Sequence, residues 1–343
     1  MKLLLLALSI LAGLAVGALG LPAAFLTGPL LVAATFSITN RPVIRFPLFL
    51  YRLAQSVIGV MLSFSITARS LQTIAANWVP VIALVLAMLM LTTISGIVLQ
   101  RLANLQPGTA LLGTLPGGAG EMIAMSDSLG ADVRLVTVMQ YGRLLAILVT
   151  ISLVGHFAGA SAGGGHPVTP AAPVAPLHYL ISTIIALIGA MIGTRFRIPA
   201  GTIIIPAVLA GVAGIIGVPA APWPPAILGA AYLVLGLQIG SQFDATVVEQ
   251  LKRLGFFVVL SNFFLLGVSV VLAIGLMPLL KIDLLSAYLA ATPGGLDSVA
   301  AMATDLRADA ALILAVHSLR LISVLIVGPF LVQIVARRLV TDG

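Results

Sequence analysis

Two arginines stand in the middle of apolar stretches of this chain, and each follows a polar residue at a spacing of three. Gln140 precedes Arg143 in "VMQYGRLL", and His317 precedes Arg320 in "AVHSLRLI". Residues three apart share one face of a helix, so each arginine has a polar neighbour. Each arginine lies about 12–14 Å along its apolar segment at a helical rise. A charge at that depth indicates either a binding site or a brace for neighbouring backbone.

A break of three helix-unfriendly residues precedes each of these arginines, in "TLPGGAGE" and in "TPGGLDS". Irregular backbone inside hydrocarbon is tolerated only where it is buried in protein or lines a wet cavity. The breaks therefore predict shielded sites where backbone groups approach a ligand, with a simple tight turn as the alternative. The residues concerned are Pro116, Gly117 and Gly118, and Pro293, Gly294 and Gly295.

Acidic residues follow each break by a few positions. Glu121 and Asp297, with Ser298 beside the latter, are either first-turn acids that complement a helix dipole or part of a proton or cation site. Asp132 and Asp309 open the next apolar segments, and we expect them to cap the helices that begin there.

The elements that position these residues are transmembrane helices. Apolar residues make up 60% of the 343-residue chain and charged residues only 8%, against about 25% charged in soluble domains. Runs such as Trp78–Leu99 exceed the roughly 20 apolar residues that cross a bilayer. The fold class predicted is an all-α polytopic membrane protein whose partner is the lipid bilayer. The basic residues that give a net charge of +7 are scattered singly, which argues against a nucleic-acid partner.

The chain repeats itself at one fixed offset. Pro293 lies 177 positions after Pro116 (293 minus 116), and the same offset pairs Pro22 with Pro199 and Arg143 with Arg320. We therefore predict two repeats, 1–159 and 178–343, joined by a Gly/Pro-rich linker at 160–177. The opening apolar segment corresponds to one inside the second repeat, so we expect it to be retained rather than cleaved as a signal peptide.

The distribution of Lys and Arg favours repeats of opposite orientation. If five segments of each repeat cross and the segment with the break dips in and returns, eleven basic residues fall inside and three outside. Six crossings per repeat would divide them seven against seven. The inverted arrangement places re-entrant hairpins at about 109–134 and 286–311 and both termini in the cytoplasm. The inside residues are Lys2, Arg41, Arg45, Arg101, Arg134, Arg195, Arg197, Lys252, Arg253, Arg337 and Arg338; the outside residues are Arg69, Lys281 and Arg307.

The doubled break, each copy followed by a Met-x-x-x-Leu-x-Ala-Asp stretch, resembles the AbrB-duplication family of bacterial membrane proteins. The stretches run from Met125 to Asp132 and from Met302 to Asp309. Members of this family carry the labels ammonia monooxygenase or regulator of aidB expression. Five crossings plus one re-entrant hairpin per inverted repeat is similar, in plan only, to elevator-type citrate and glutamate symporters.

These features together predict a secondary transporter in the bacterial inner membrane, not an enzyme. The expected solute is small and anionic or zwitterionic, moved by alternating access with H⁺ or Na⁺ as the coupling ion and no other cofactor. The chain has no P-loop, which argues against ATP as the energy source. A homodimer is the assembly considered. A membrane-embedded regulator that acts indirectly is the alternative. A monooxygenase ranks lower, because only one of four histidines, His317, is clearly placed in the membrane interior.

Overall fold

The computed structural model describes residues 2–19, 23–64, 72, 74–157, 175–198, 200–218, 220–243 and 245–341. Most of the linker and the side chains of Glu121 and Asp297 lie outside this description. The described backbone is helical without strands, which confirms the all-helical part of the predicted fold class. Its helices are α1 (Lys2–Ala18), α2 (Ala24–Ile38), α3 (Leu48–Ser63), α4 (Trp78–Ala103), α5 (Pro107–Thr114), α6 (Ala119–Ser128), α7 (Val133–Phe157), α8 (Pro176–Arg195), α9 (Gly201–Ile215), α10 (Pro225–Gly240), α11 (Ala245–Leu280), α12 (Leu284–Ala291), α13 (Leu296–Asp305) and α14 (Ala310–Thr341).

Five of the described helices are long and apolar enough to cross a membrane, namely α4, α7, α8, α11 and α14. Helices α1, α2, α3, α9 and α10 are shorter but also apolar. Helices α5, α6, α12 and α13 have only eight or ten residues each. They flank the two breaks, because proline and glycine end α5 and α12 at the positions where the sequence predicts interruption.

Close helix packing holds together a first bundle, made of α1–α3 and α8–α10. Helix α2 packs on α1 and α10, and α9 packs on α8 and α3. A Cβ atom on Gly59 of α3 would lie 2.4 Å from the carbonyl oxygen of Ile203. A Cβ atom on Gly236 of α10 would lie 2.3 Å from the carbonyl oxygen of Leu26. Glycine therefore sets the separation of these helices, as small residues do in membrane bundles.

The remaining helices, α4–α7 and α11–α14, form a second unit that we call the broken-helix bundle. Helices α5 and α6 pack on α7, and α12 and α13 pack on α14, so each long helix supports the short pair that precedes it. Helix α12 also contacts α7, and the hydroxyl groups of Tyr288 and Thr150 lie 3.1 Å apart. The two short pairs are thereby tied to one scaffold.

Contacts between the bundles centre on α13. This helix packs on α3, and Tyr232 of α10 donates a hydrogen bond to the carbonyl of Ala301 at 3.2 Å. The carboxylate of Asp305 accepts a hydrogen bond from the backbone N–H of Ala23 at 2.7 Å. Ala23 precedes α2 and has no side chain that could cap it, so the cap comes from the other bundle. One continuous apolar core extends across both bundles.

Candidate functional site

Arg320 binds the backbone of the second break, residues 292–295. Its two terminal nitrogens donate to the carbonyl oxygens of Thr292 and Gly294, each at 2.7 Å. These carbonyls follow the last turn of α12, where no helical N–H is available to them. With only 2% of its surface exposed, the arginine satisfies acceptors that hydrocarbon could not.

Arg143 binds the backbone of the first break, residues 115–118, in a similar way. It donates to the carbonyl oxygens of Thr114 at 2.7 Å and Leu115 at 3.3 Å, and 3% of it is exposed. It also donates to the amide oxygen of Gln140, the residue one turn earlier on α7. Gln140 in turn donates to the carbonyls of Leu112 and Leu115 at 2.7 and 3.1 Å.

His317 occupies the position on α14 that Gln140 holds on α7. Its Nε2 lies 2.9 Å from the carbonyl oxygen of Leu289, and its Nδ1 lies 3.3 Å from a terminal nitrogen of Arg320. A carbonyl only accepts and a guanidinium only donates, so these contacts assign the proton to Nε2 and leave Nδ1 as the acceptor. The imidazole therefore acts as a neutral link between α12 and the arginine.

Asp132 and Asp309 cap α7 and α14, as the sequence predicts. The carboxylate of Asp132 accepts from the N–H groups of Arg134 and Leu135, and that of Asp309 accepts from Leu312. Their own N–H groups donate to the hydroxyls of Thr109 and Ser286. Each cap thus fixes the start of a long helix against the short helix that leads into the break.

A cavity of about 650 Å³ lies where the two breaks meet the first bundle. Backbone of both breaks lines it, with Arg320 and His317 beside them. Helices α6 and α13 begin at this cavity, and the first N–H groups of a helix have no partner within it. The opposite wall comes from the first bundle and is polar. Its polar side chains are Tyr51, Arg52, Gln55, Thr194, Arg197, Thr202, Gln238 and Gln242.

Some of the predicted site residues line the cavity, and others are not among its described lining residues. Lining residues are Pro116, Gly117, Gly118, Gly294, Gly295, His317 and Arg320. Gln140, Arg143, Pro293 and Ser298 are not among the described lining residues, and the Ser298 hydroxyl donates to the carbonyl of Gly295 at 3.1 Å. Glu121 and Asp297 lie in the first turns of α6 and α13, and their side chains are outside the described residues.

Among the described residues of this site, one buried side-chain atom has no hydrogen-bond partner. The Nε of Arg320 is buried and makes no hydrogen bond, although both terminal nitrogens of the same guanidinium are engaged. A buried N–H donor without an acceptor costs roughly 1–3 kcal/mol.

Arg52 and Arg197 were not predicted as site residues from the sequence. Arg52 stands inside the apolar segment that becomes α3. It is therefore not among the loop residues whose charges indicate the orientation of the repeats. The signal that singled out Arg143, a cation within an apolar run, applies to Arg52 as well. Arg197 follows α8 and was interpreted as a topology signal alone.

Metal ligands do not cluster in the part of the chain that is described. It contains no group of three His, Cys, Asp or Glu side chains that could hold a metal ion. The described lining of the cavity carries guanidinium groups, amides and hydroxyls, which include hydrogen-bond donors suited to oxygen-rich ligands.

Comparison with known proteins places the chain in a family. Residues 43–336 match the AbrB family, described as "Transition state regulatory protein AbrB". An Escherichia coli (strain K12) protein named "Putative regulator AbrB" is 35% identical over 334 residues, which is 96% of this chain and 94% of that protein. A Bacillus subtilis (strain 168) protein named "Uncharacterized protein YhjN" is 25% identical over 292 residues, or 81% and 76% of the two chains. The chain belongs to the AbrB family of helical, membrane-type proteins.

Proposed function

We propose that this protein is a secondary transporter of a small anionic or zwitterionic solute. The observation that carries the proposal is that two broken helices, far apart in sequence, contribute backbone to one cavity. Secondary transporters bind their solutes where half-helix ends and unwound backbone meet inside the membrane. The buried arginines fit this role, because each holds its break open by binding carbonyls that would otherwise need a helical partner.

The proposal includes two repeats of opposite orientation, each with a re-entrant hairpin. Matched helix bounds support the repeats: α2 and α9, α3 and α10, α5 and α12, and α6 and α13 each differ by 177 positions at both ends. Matched contacts support them too, since Gly59 meets Ile203 and Gly236 meets Leu26, and both members of each contact are related by the same offset. Inversion rests on the asymmetry of Lys and Arg.

Alternating access requires two bodies that move relative to each other around the site. The cavity lies between the first bundle and the broken-helix bundle, whose described polar contacts include those of Asp305 with Ala23 and of Tyr232 with Ala301. We propose that the broken-helix bundle carries the solute past the first bundle. Glu121 and Asp297, in the first turns of α6 and α13, are the proposed sites for the coupling H⁺ or Na⁺.

The alternative is a membrane-embedded regulator, and its support is the wording of the family description and of the Escherichia coli relative's name. A regulator needs no pathway through the membrane, so it predicts access to the cavity from one side at most. A monooxygenase stands below both, because oxygen-activating metals need several His or carboxylate ligands. The described residues offer no such group.

Single cysteines test alternating access, since the chain has none of its own. A transporter predicts that Gln242→Cys, at the cavity, reacts with impermeant thiol reagents from either side of right-side-out and inside-out vesicles. The controls are Arg101→Cys and Lys281→Cys, both exposed and outside the cavity lining, which the inverted arrangement places on opposite faces. Labelling of Gln242→Cys from one face only, under every ion gradient tried, would overturn the proposal. Labelling of both controls from the same face would overturn the inverted topology.

A further inference from the structure

We infer that the cavity binds a small organic solute with two or more negative charges, held between Arg320 on one bundle and Arg52 and Arg197 on the other. The inference rests on the proposed function and narrows it, because it excludes zwitterions and monoanions as the preferred solute. It follows from the charge on each wall and the size of the cavity.

The wall formed by the broken-helix bundle selects for anionic oxygen. Arg320 uses both terminal nitrogens on the second break and keeps its buried Nε–H without an acceptor. Helices α6 and α13, each ten residues long, begin at the same wall with N–H groups that have no partner within the helix and with the positive ends of their dipoles.

The wall formed by the first bundle carries its own cations. Arg52 lies in the second turn of α3 and is half-buried, while Arg197 follows the end of α8 and is exposed. No described carboxylate is among the lining residues, so these charges are not balanced by an acid of the described cavity wall. A solute that touches both walls therefore meets a cation at each end. An ammonium group at either end would face the guanidinium groups of the described wall.

The size and remaining lining favour an organic anion over an inorganic one. About 650 Å³ lies in the middle of the range for small-molecule sites and far exceeds the volume of a phosphate or sulfate ion. Thr202 donates to the amide oxygen of Gln55 at 2.6 Å, which orients one polar pair of the first bundle at the cavity. Gln238 and Gln242 add further amides, suited to hydroxyl or carbonyl groups on the carbon chain of a di- or tricarboxylate.

Binding to the purified full chain in detergent tests the inference without any need for transport. The probes are succinate, butyrate and γ-aminobutyrate, which share a four-carbon chain and carry two negative charges, one, or a zwitterionic pair. Citrate, phosphate and sulfate complete the set. We expect succinate or citrate to raise the melting temperature in a saturable way, and butyrate and γ-aminobutyrate to raise it little or not at all.

Arginine variants locate the effect. Arg52→Gln and Arg197→Gln should each weaken succinate or citrate binding about tenfold, since each removes one charge-assisted contact. The matched control is Arg195→Gln, two residues from Arg197, exposed and outside the lining, which should bind as the wild type does. Because neither Arg52 nor Arg197 holds a break, their variants should melt at the wild-type temperature without ligand.

Each outcome is decisive. Equal binding of butyrate or γ-aminobutyrate, equal loss in Arg195→Gln, or no stabilisation by any probe would overturn the inference. Stabilisation by phosphate or sulfate alone would overturn the inference that the solute is organic, although the ligand would still carry more than one negative charge. Succinate or citrate binding without flux in proteoliposomes would keep the inference and remove the transport function. Flux of γ-aminobutyrate without succinate binding would keep the transport function and overturn the inference.

Discussion

Arg143 and Arg320 bind the carbonyl groups of two different breaks, but only Arg320 lines the cavity. Arg143 also donates to the amide oxygen of Gln140, whereas Arg320 leaves its Nε without a partner. Two positions that are equivalent in the sequence therefore differ in surroundings. We interpret Arg143 as a brace and Arg320 as a brace that also faces the solute.

Substitution of the two arginines should separate these roles. Arg143→Gln should lower the free energy of unfolding, by about 1–3 kcal/mol for each buried carbonyl left without a donor. The folded fraction should bind succinate or citrate with wild-type affinity. Arg320→Gln should lose both stability and binding. Equilibrium unfolding in mixed micelles, with ligand titration on the same preparations, measures both. Loss of binding in Arg143→Gln at unchanged stability would contradict this assignment.

The two glycines of the second break should respond differently to an added methyl group. A Cβ on Gly294 would lie 2.6 Å from Cγ2 of Val299, so Gly294→Ala should destabilise the protein, and Val299→Ala in the same chain should relieve the loss. A Cβ on Gly295 meets no atom closer than 3.6 Å, and its φ of −69° suits alanine. Gly295→Ala should therefore melt normally but bind ligand more weakly, because its methyl group enters the cavity. Thermal unfolding and ligand titration would show the contrast, and a Gly295→Ala protein with normal affinity would place the ligand elsewhere.

Asp305 should stabilise the contact between the bundles through its hydrogen bond to Ala23. Asp305→Ala leaves a buried N–H without an acceptor, and we expect it to lower the free energy of unfolding by about 1–3 kcal/mol. Asp305→Asn keeps an oxygen at the same place and should lose less than half as much. If both variants lost the same free energy of unfolding, the carboxylate charge and not the hydrogen bond to Ala23 would be the source of the stabilisation.

The glycines that set the helix separation in the first bundle should be equally intolerant of alanine. Gly59→Ala and Gly236→Ala each place a Cβ within 2.4 Å of a backbone carbonyl oxygen, which cannot move without shifting a helix. The control is Gly229→Ala, in the same helix as Gly236, where no atom lies within 4 Å of the added carbon. We expect lower melting temperatures for the first two and an unchanged or higher one for the control. A tolerated Gly236→Ala beside an unstable Gly59→Ala would argue against equivalent repeats.

Much of the helical architecture was accessible from the sequence, because apolar length and proline–glycine interruptions act locally. The breaks at Pro116 and Pro293 were predicted to within a few residues, and the caps at Asp132 and Asp309 were predicted by residue. The contact between Gln140 and Arg143 follows from their spacing on one helix.

The cavity wall could not be predicted in the same way, because it depends on how two bundles meet. Nothing local distinguishes Arg197, a cavity residue, from Arg195, which lies outside the lining. The difference between Arg143 and Arg320 is likewise a property of packing, since both occupy the same place in the repeat. A sequence pattern identifies which residues are costly to bury, but the tertiary arrangement decides which of them reaches a ligand.

Uptake by proteoliposomes tests the central claim, transport through this cavity, most directly. The reconstituted protein should accumulate radiolabelled succinate or citrate, whichever stabilises the purified chain more, above the external concentration when a proton or sodium gradient is imposed. Accumulation should stop when the gradient is dissipated, should be absent in Arg320→Gln and should be normal in Arg195→Gln. Binding in detergent with no uptake under either gradient, or uptake that Arg320→Gln leaves intact, would contradict the account.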